Sequence, residues 1–222
     1  MQELLLLFLA YAIGSVPTAV WVSKYFFKID IRDYGSGNAG ATNTFRVLGS
    51  SWGTFVMIVD ILKGTAATSL YLFLPQYLGH NSELQRTNLQ IGLGLTAVIG
   101  HIFPLWANFK GGKGVATLFG MVLAIQPFVA LGCVGVFLIV LYLTRFVSLS
   151  SILASISLPI FIILIFREQE QLYRIFGIAI ALMVILTHQK NITRLLNGIE
   201  SRVPIFKYRD RRKEKRKTRR NS

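Results

Sequence analysis

The chain has 222 residues, of which 53% are apolar and 15% charged, with a mean hydropathy of +0.53. A soluble domain carries roughly 45–50% apolar residues and about a quarter charged ones, so no polar region here is long enough for one, and a single membrane-embedded unit is expected. The net charge of +14 invites a nucleic-acid reading, but eleven of the basic residues lie between Arg202 and Ser222 against only Asp210 and Glu214; such a tail behind a hydrophobic segment marks a cytoplasmic end near anionic lipid.

The expected division is a membrane domain over 1–200 and a basic cytoplasmic tail over 201–222. The first apolar segment covers 4–22. It has no basic lead-in and no convincing cleavage site, so it is read as a retained span. A polar block follows: Gly35-Ser36-Gly37-Asn38-Ala39-Gly40-Ala41-Thr42-Asn43, then Arg46. Glycine alternating with Ser and Asn lets successive backbone N–H groups converge without Cβ clashes, an arrangement that suits a phosphate. A helix starting there would aim its N-terminus at the same place. A flexible connector would not need Asn, Thr and Arg packed so closely around the glycines.

The second segment, 53–75, contains Asp60 and Lys63, three apart on one helical face. Ionisable groups inside a span face a cavity or pair with each other, and the spacing leaves both readings open. The third segment, 89–107, leads into Gly100-His101-Ile102-Phe103-Pro104 and then Phe109-Lys110-Gly111-Gly112-Lys113-Gly114-Val115-Ala116-Thr117. A Gly/Lys loop placed before a helix is a second anion-site pattern. It is not a Walker A loop, because Ala107 stands where the first glycine should be and Gly114 where Ser or Thr should follow the lysine.

The fourth segment, 115–143, is interrupted by Gln126-Pro127 and decides the topology. Read as one span, it would put the basic tail outside. Read as a hairpin of helices 115–125 and 128–144, it leaves the 24–50 block, the 108–114 loop, Arg145 and the tail all on the cytoplasmic side. With the segments at 147–166 and 172–187, an all-α integral membrane protein is expected, a seven-helix transmembrane bundle with its N-terminus outside and its C-terminus in the cytoplasm. The 115–125 helix is short for a crossing and is expected to be re-entrant or tilted. Glu3 and Glu83 fall outside, and the lone Cys133 is read as packing.

A third block, His188-Gln189-Lys190-Asn191 running on to Glu200, begins where the last segment ends. His188 at that place suits either a helix-end cap or a site role. None of the histidines has the H-x-x-x-x-D spacing, since Gln85, Trp106 and Thr193 occupy the acidic position. No Cys/His cluster has metal-ligand spacing, and there is no G-x-S-x-G nucleophile elbow. Neither metal nor cofactor is expected.

Taken together, GSGNAGATNTFRVLG, GHIFPLWANFKGGKGVAT and HQKNITRLLNGIE, with DILKG in the second segment, resemble the bacterial membrane glycerol-3-phosphate acyltransferases that use acyl phosphate, the PlsY-type family. The similarity runs from about Gly14 to Glu200. Lys190 departs from it, where members often carry an acidic residue, and the tail is longer and more basic. The resemblance implies a seven-helix fold, no dependence on CoA or carrier protein, and residence in the bacterial inner membrane with a cytoplasm-facing site. It implies transfer of a fatty acyl group from acyl phosphate to the 1-hydroxyl of sn-glycerol 3-phosphate.

Under that reading Ser36, Arg46, Lys113 and His188 are the candidate catalytic groups. Gly35, Gly37, Asn38, Gly40, Thr42, Asn43, His101, Lys110, Gly111, Gly112, Gly114, Thr117 and Asn191 are candidate substrate-binding residues. Backbone N–H groups near Gly35–Gly40 would hold the donor phosphate and the developing oxyanion, and Arg46 and Lys113 would neutralise phosphate. The proton acceptor is either His188 or a substrate phosphate. The expected partners are these two substrates and the lipid bilayer, with no nucleic acid; the sequence identifies no protein partner. The rival reading is a transporter for a phosphorylated or anionic solute. Against it stand the absence of convincing inverted repeats and the clustering of polar blocks on one face.

Overall fold

The computed structural model describes residues 1–79 and 83–203, and their regular structure is entirely helical. Helix α1 (Gln2–Gly14) breaks at Ser15–Pro17 and resumes as α2 (Thr18–Phe27). After a short 3-10 turn come α3 (Ala41–Val47), α4 (Ser50–Thr68) and α5 (Glu83–Ile102). The rest comprises α6 (Val115–Ile125), α7 (Pro127–Thr144), α8 (Val147–Ile160), α9 (Gln171–Thr187) and α10 (Gln189–Leu196).

The outside of this bundle is apolar: Leu5, Phe8, Phe128, Leu143 and Leu164 are all more than 60% exposed. Such a surface needs lipid against it. Among the described residues five helical stretches are long and apolar enough to cross a membrane, six if α9 and α10, bent by 62°, count as one broken span. Helix α6 has 11 residues and is therefore about 16 Å long, against about 30 Å of hydrocarbon.

The breaks have local causes. Proline lacks an N–H and cannot continue a helix ladder from its own first turn. Pro17 accordingly sits at the start of α2, and Pro127 opens α7, so Gln126-Pro127 separates α6 from α7 as the sequence indicates. Pro159 lies inside α8, and the segment that reads as unbroken to 166 changes to a π-helical turn at Phe161–Ile165. The first segment also differs from expectation. It is two helices rather than one, and the second extends to Phe27.

Helices in lipid gain nothing from hiding apolar surface and associate where small residues let backbones approach. Two pairs do this here. A Cβ on Gly64 would lie 2.1 Å from the Thr117 carbonyl oxygen, and one on Gly120 would lie 2.0 Å from that of Ile61, so α4 and α6 meet backbone to backbone. Thr65 Oγ1 adds a hydrogen bond to the Gly120 carbonyl at 2.9 Å. In the α1–α5 pair, Gly14 and Gly100 have the same role against Ala97 and Tyr11. Larger side chains fill the other half, where Val98, Met121, Val129, Ile162, Phe176 and Val184 join α5 to α9 in one apolar cluster.

The two ends of the bundle differ. At one end Tyr77 donates to the Glu3 carboxylate. The opposite end gathers residues 28–49, 103–114, 145–146 and 188–203, with the Val203 N–H bonded to the Arg145 carbonyl at 2.8 Å and the other segments joined by the hydrogen bonds described below. An aromatic patch lies beside it, with Trp21 6.2 Å from Trp106 and Phe26 4.6 Å from Trp52 between ring centres. Aromatic rings of this kind collect at membrane–water interfaces. The basic tail falls outside the described residues from 204 onward.

Because the Gly120 contact leaves room for no side chain, Gly120→Ala is expected to destabilise the bundle by about 1–3 kcal/mol through overpacking. The check is the melting temperature of detergent-purified protein. An unchanged value would mean that α4 and α6 do not need this approach.

Candidate functional site

The first polar block folds around Asn43. Its side chain is buried and donates to the carbonyls of Ile31 (3.0 Å) and Tyr34 (2.9 Å), while its Oδ1 accepts the Ser36 N–H at 2.8 Å. Gly35 adopts φ +63°, and a Cβ there would stand 2.3 Å from Asn43 Oδ1. Glycine is therefore required by both backbone and space. Gly37 N–H bonds the Tyr34 carbonyl at 3.1 Å. The N–H groups of Ser36 and Gly37 are thus engaged inside the loop, and the Ser36 side chain is half-buried at its surface. Asn38 is half-buried and Thr42 exposed, and Gly40 is the residue that starts α3. Arg46, on α3, is exposed.

Two residues that the sequence did not single out lock this loop to the second block. Arg32 forks onto Asp30 through Nε (2.9 Å) and Nη2 (2.7 Å), and its Nη1 reaches the carbonyls of Ala107 (2.9 Å) and Lys110 (3.4 Å). The Arg32 hydrogen bonds, helped by Lys24 at 3.1 Å, hold the Asp30 carboxyl well below the usual carboxylate range. The short-range D-x-R spacing was the only signal available, and it is common in turns.

The second block closes over the end of α5. Gly111 N–H bonds the Ile102 carbonyl at 3.1 Å and Gly112 N–H the His101 carbonyl at 3.2 Å, which satisfies carbonyls that a helix end leaves open. Gly114, at φ +81°, starts α6. Thr117 is fully buried, and its hydroxyl has no hydrogen-bond partner among the described residues. Lys110 is exposed. Lys113 turns toward the third block and donates to Asn191 Oδ1.

From there a chain of polar contacts runs through the third block. Asn191 Nδ2 donates to Glu200 Oε1 at 2.7 Å, Ser148 Oγ to the same oxygen at 2.8 Å, and Arg194 Nε to Oε2 at 2.8 Å. Burial pushes the Glu200 carboxyl up, but the bonds from Asn191, Ser148 and Arg194 outweigh it and keep its pKa below the usual value. Lys113 is pulled down to about 8, first by burial and then by the charges of Arg194 and Arg46, with Glu200 opposing. The charges of Arg46, Arg194 and Glu200 all act on Lys113, so one electrostatic neighbourhood includes residues of all three blocks.

His188 caps α9 just beyond its last residue and is 3% exposed. Its Nδ1 lies 2.8 Å from the Val184 carbonyl. A carbonyl only accepts, so the proton is assigned to Nδ1 and Nε2 keeps its lone pair. Burial, then the Lys113 charge, lowers the imidazole to about 4, and it is neutral at pH 7. Among the described residues no group of three or more His, Cys, Asp or Glu is placed to hold a metal ion.

The structure therefore brings Arg46, Lys113, His188 and Asn191 together. It places His101 lower down, against the Asp60–Lys63 pair, whose Lys63 Nζ is 2.8 Å from Asp60 Oδ1. Ser148, Arg194 and Glu200 are site residues that sequence reasoning passed over. Arg194 and Glu200 stand inside the third block without any spacing that links them, and Ser148 is one of several buried serines opening α8.

A family model described as glycerol-3-phosphate acyltransferase matches residues 4–198. The chain belongs to that family. A glycerol-3-phosphate acyltransferase of Enterococcus faecalis is 46% identical over 211 residues, covering 91% of this chain and 93% of the relative. One from Listeria monocytogenes is 46% identical over 200 residues, covering 90% and 96%. Two crystal structures of PlsY (YgiH), an integral membrane glycerol 3-phosphate acyltransferase, superpose on the fold at 37% identity. Its glycerol 3-phosphate form gives a TM-score of 0.80 over 91% of this chain and 96% of that one; its lysophosphatidic acid form gives 0.76 over 91% and 95%. This chain is accordingly an integral, multi-pass membrane protein of a bacterial family.

Asn43 is expected to be the least replaceable side chain of the first block. Asn43→Ala strips partners from buried polar groups at about 1–3 kcal/mol each. Asn43→Asp keeps an acceptor for Ser36 but turns a carboxylate toward two carbonyls, so it should melt no higher than the alanine variant in detergent. Full recovery by Asp would contradict the assigned amide orientation.

Proposed function

We propose that this protein transfers a fatty acyl group from acyl phosphate to the 1-hydroxyl of sn-glycerol 3-phosphate, giving 1-acylglycerol 3-phosphate and inorganic phosphate for phospholipid synthesis. The observation that carries the reading is the gathering of Arg46, Lys113 and Arg194 at one end of an otherwise apolar bundle. A cationic site at the edge of lipid suits two phosphate-bearing substrates, one of which has a long acyl chain. The PlsY structures, one in a glycerol 3-phosphate form and one in a lysophosphatidic acid form, support the same substrate and product.

In this proposal the whole chain forms a seven-helix bundle in the bacterial inner membrane, with α6 as the short member, the N-terminus outside and the site facing the cytoplasm. Charge placement along the sequence supports that orientation. The Ser36 hydroxyl and the Arg46 guanidinium hold the donor phosphate, while Lys113 and Asn191 take glycerol 3-phosphate. The 1-hydroxyl oxygen attacks the acyl carbon, the bond from that carbon to the phosphate oxygen breaks, and phosphate leaves with the electron pair. Acyl phosphate already has a good leaving group, so positioning and charge stabilisation are the main demands.

The hydroxyl proton goes to a substrate phosphate. His188, at about 4, is a weaker base than a phosphate whose second pKa is about 6. Direct transfer is also favoured over an acyl-Ser36 intermediate, because no imidazole or carboxylate hydrogen-bonds the Ser36 hydroxyl among the described residues.

The test is purified protein given acyl phosphate and glycerol 3-phosphate, followed for lysophosphatidic acid. Ser36→Ala, Arg46→Ala and Lys113→Ala are each expected to lose about 10²–10³ in rate while inserting normally. Near-wild-type turnover in all three, or solute transport without acyl transfer, would overturn the proposal. The pH profile provides a second check. Lys113 is charged below its pKa of about 8, so kcat/KM for glycerol 3-phosphate should fall as pH rises through that value. A flat profile from about pH 7 to about pH 10 would remove Lys113 from phosphate binding.

A further inference from the structure

Beneath the Gly/Lys loop lies a polar cluster that the reaction does not use directly. Asp60 and Lys63 on α4 are 2% and 6% exposed, and His101 on the last turn of α5 is 7% exposed. Lys63 Nζ bonds Asp60 Oδ1 at 2.8 Å and the Val16 carbonyl, in the break between α1 and α2, at 3.0 Å. Thr18 Oγ1, at the start of α2, donates to the same carboxylate oxygen at 3.3 Å, and His101 Nδ1 faces it at 3.6 Å. One carboxylate therefore ties together the broken first span, α4 and α5.

The other side of the His101 ring is equally confined. A Cβ on Gly112 would lie 2.2 Å from His101 Nε2 and 3.2 Å from the Ala39 carbonyl, and a Cβ on Gly111 would lie 2.0 Å from the His101 carbonyl. The imidazole is held between a buried carboxylate and a glycine backbone, with Lys113 the next residue along. At 7% exposure this side chain is packed against protein on both sides.

We propose that His101 is a positioning residue: seated on the Asp60–Lys63 pair, it sets the height of the Gly112 turn and so the place of Lys113 in the site. The kinetic part rests on the acyl-transfer reading above, whereas the steric part does not. A shift of about 1 Å in a positioning element costs on the order of 10²-fold in rate.

The experiment is a double-mutant cycle on the full chain in detergent, with His101→Ala, Gly112→Ala and the double variant. Gly112→Ala is expected to lower the melting temperature and raise KM for glycerol 3-phosphate, leaving KM for acyl phosphate unchanged. Adding His101→Ala makes room for the new methyl and should recover at least about tenfold of the kcat/KM that Gly112→Ala loses, along with part of the melting temperature. A variant that merely folds poorly loses active protein but keeps its KM.

Additive losses in both readouts would overturn the proposal. If wild-type protein transfers no acyl group, the acyl-transfer reading falls and the melting cycle alone decides: non-additivity upholds the steric coupling and additivity refutes it. Asp60→Asn combined with Lys63→Met removes both charges without stranding either. This variant and His101→Ala alone are each expected to raise KM for glycerol 3-phosphate, and wild-type kinetics in the charge-free variant would cut the ion pair out of the proposal.

Discussion

Lipid offers no partner to a peptide N–H or C=O, and that constraint shapes every unusual feature of this bundle. Wherever the chain leaves helical geometry, something in the protein must take over the freed groups. Between α1 and α2 the Val16 carbonyl is met by Lys63. At the end of α5 the carbonyls of His101 and Ile102 are met by Gly112 and Gly111. At the end of α9 the Val184 carbonyl is met by the His188 ring. The residues that sequence inspection marks as chemical are thus partly occupied with repairing helix ends. Polar loops can border the spans because glycine and a few long side chains keep these helix-end carbonyls satisfied.

The same accounting separates holding from binding. The Asn43 amide and the N–H groups of Gly111 and Gly112 are spent on protein partners, whereas Arg46 is exposed. Lys113 stands between these groups. It is tethered to Asn191, which is tethered in turn to Glu200, and its burial makes its charge easy to lose. An anion arriving beside it would favour the charged form and exchange with Asn191 as its partner.

Much of this was legible in the sequence, for identifiable reasons. The apolar segments appear because a span must be continuous, and Gln126-Pro127 marks a real helix boundary because proline acts through local geometry. The three blocks stood out because glycines alternate there with polar and basic residues, set against long apolar segments. What could not be read was pairing across distance. Glu200 and Ser148 are 52 residues apart, and Lys113 and Asn191 are 78 apart; periodicity says nothing about such contacts. The Ser15–Pro17 break was hidden for another reason, since the stretch around it is apolar enough to span and only Gly14-Ser15 and Pro17 mark the break. The π turn after Pro159 was hidden likewise.

The glycine contacts between α4 and α6 and between α1 and α5 also bear on how the protein can diversify. Glycine has no smaller neighbour among the amino acids, so these four positions permit no graded substitution; any change moves a helix. The lipid-facing leucines and phenylalanines are free to interchange because acyl chains adapt to them. Variation in this protein is therefore channelled outward and toward α7, α8 and α9, where side chains rather than backbones meet. The helix pairs α4–α6 and α1–α5 form a frame in which no Cβ can be added at these glycines without displacing a helix.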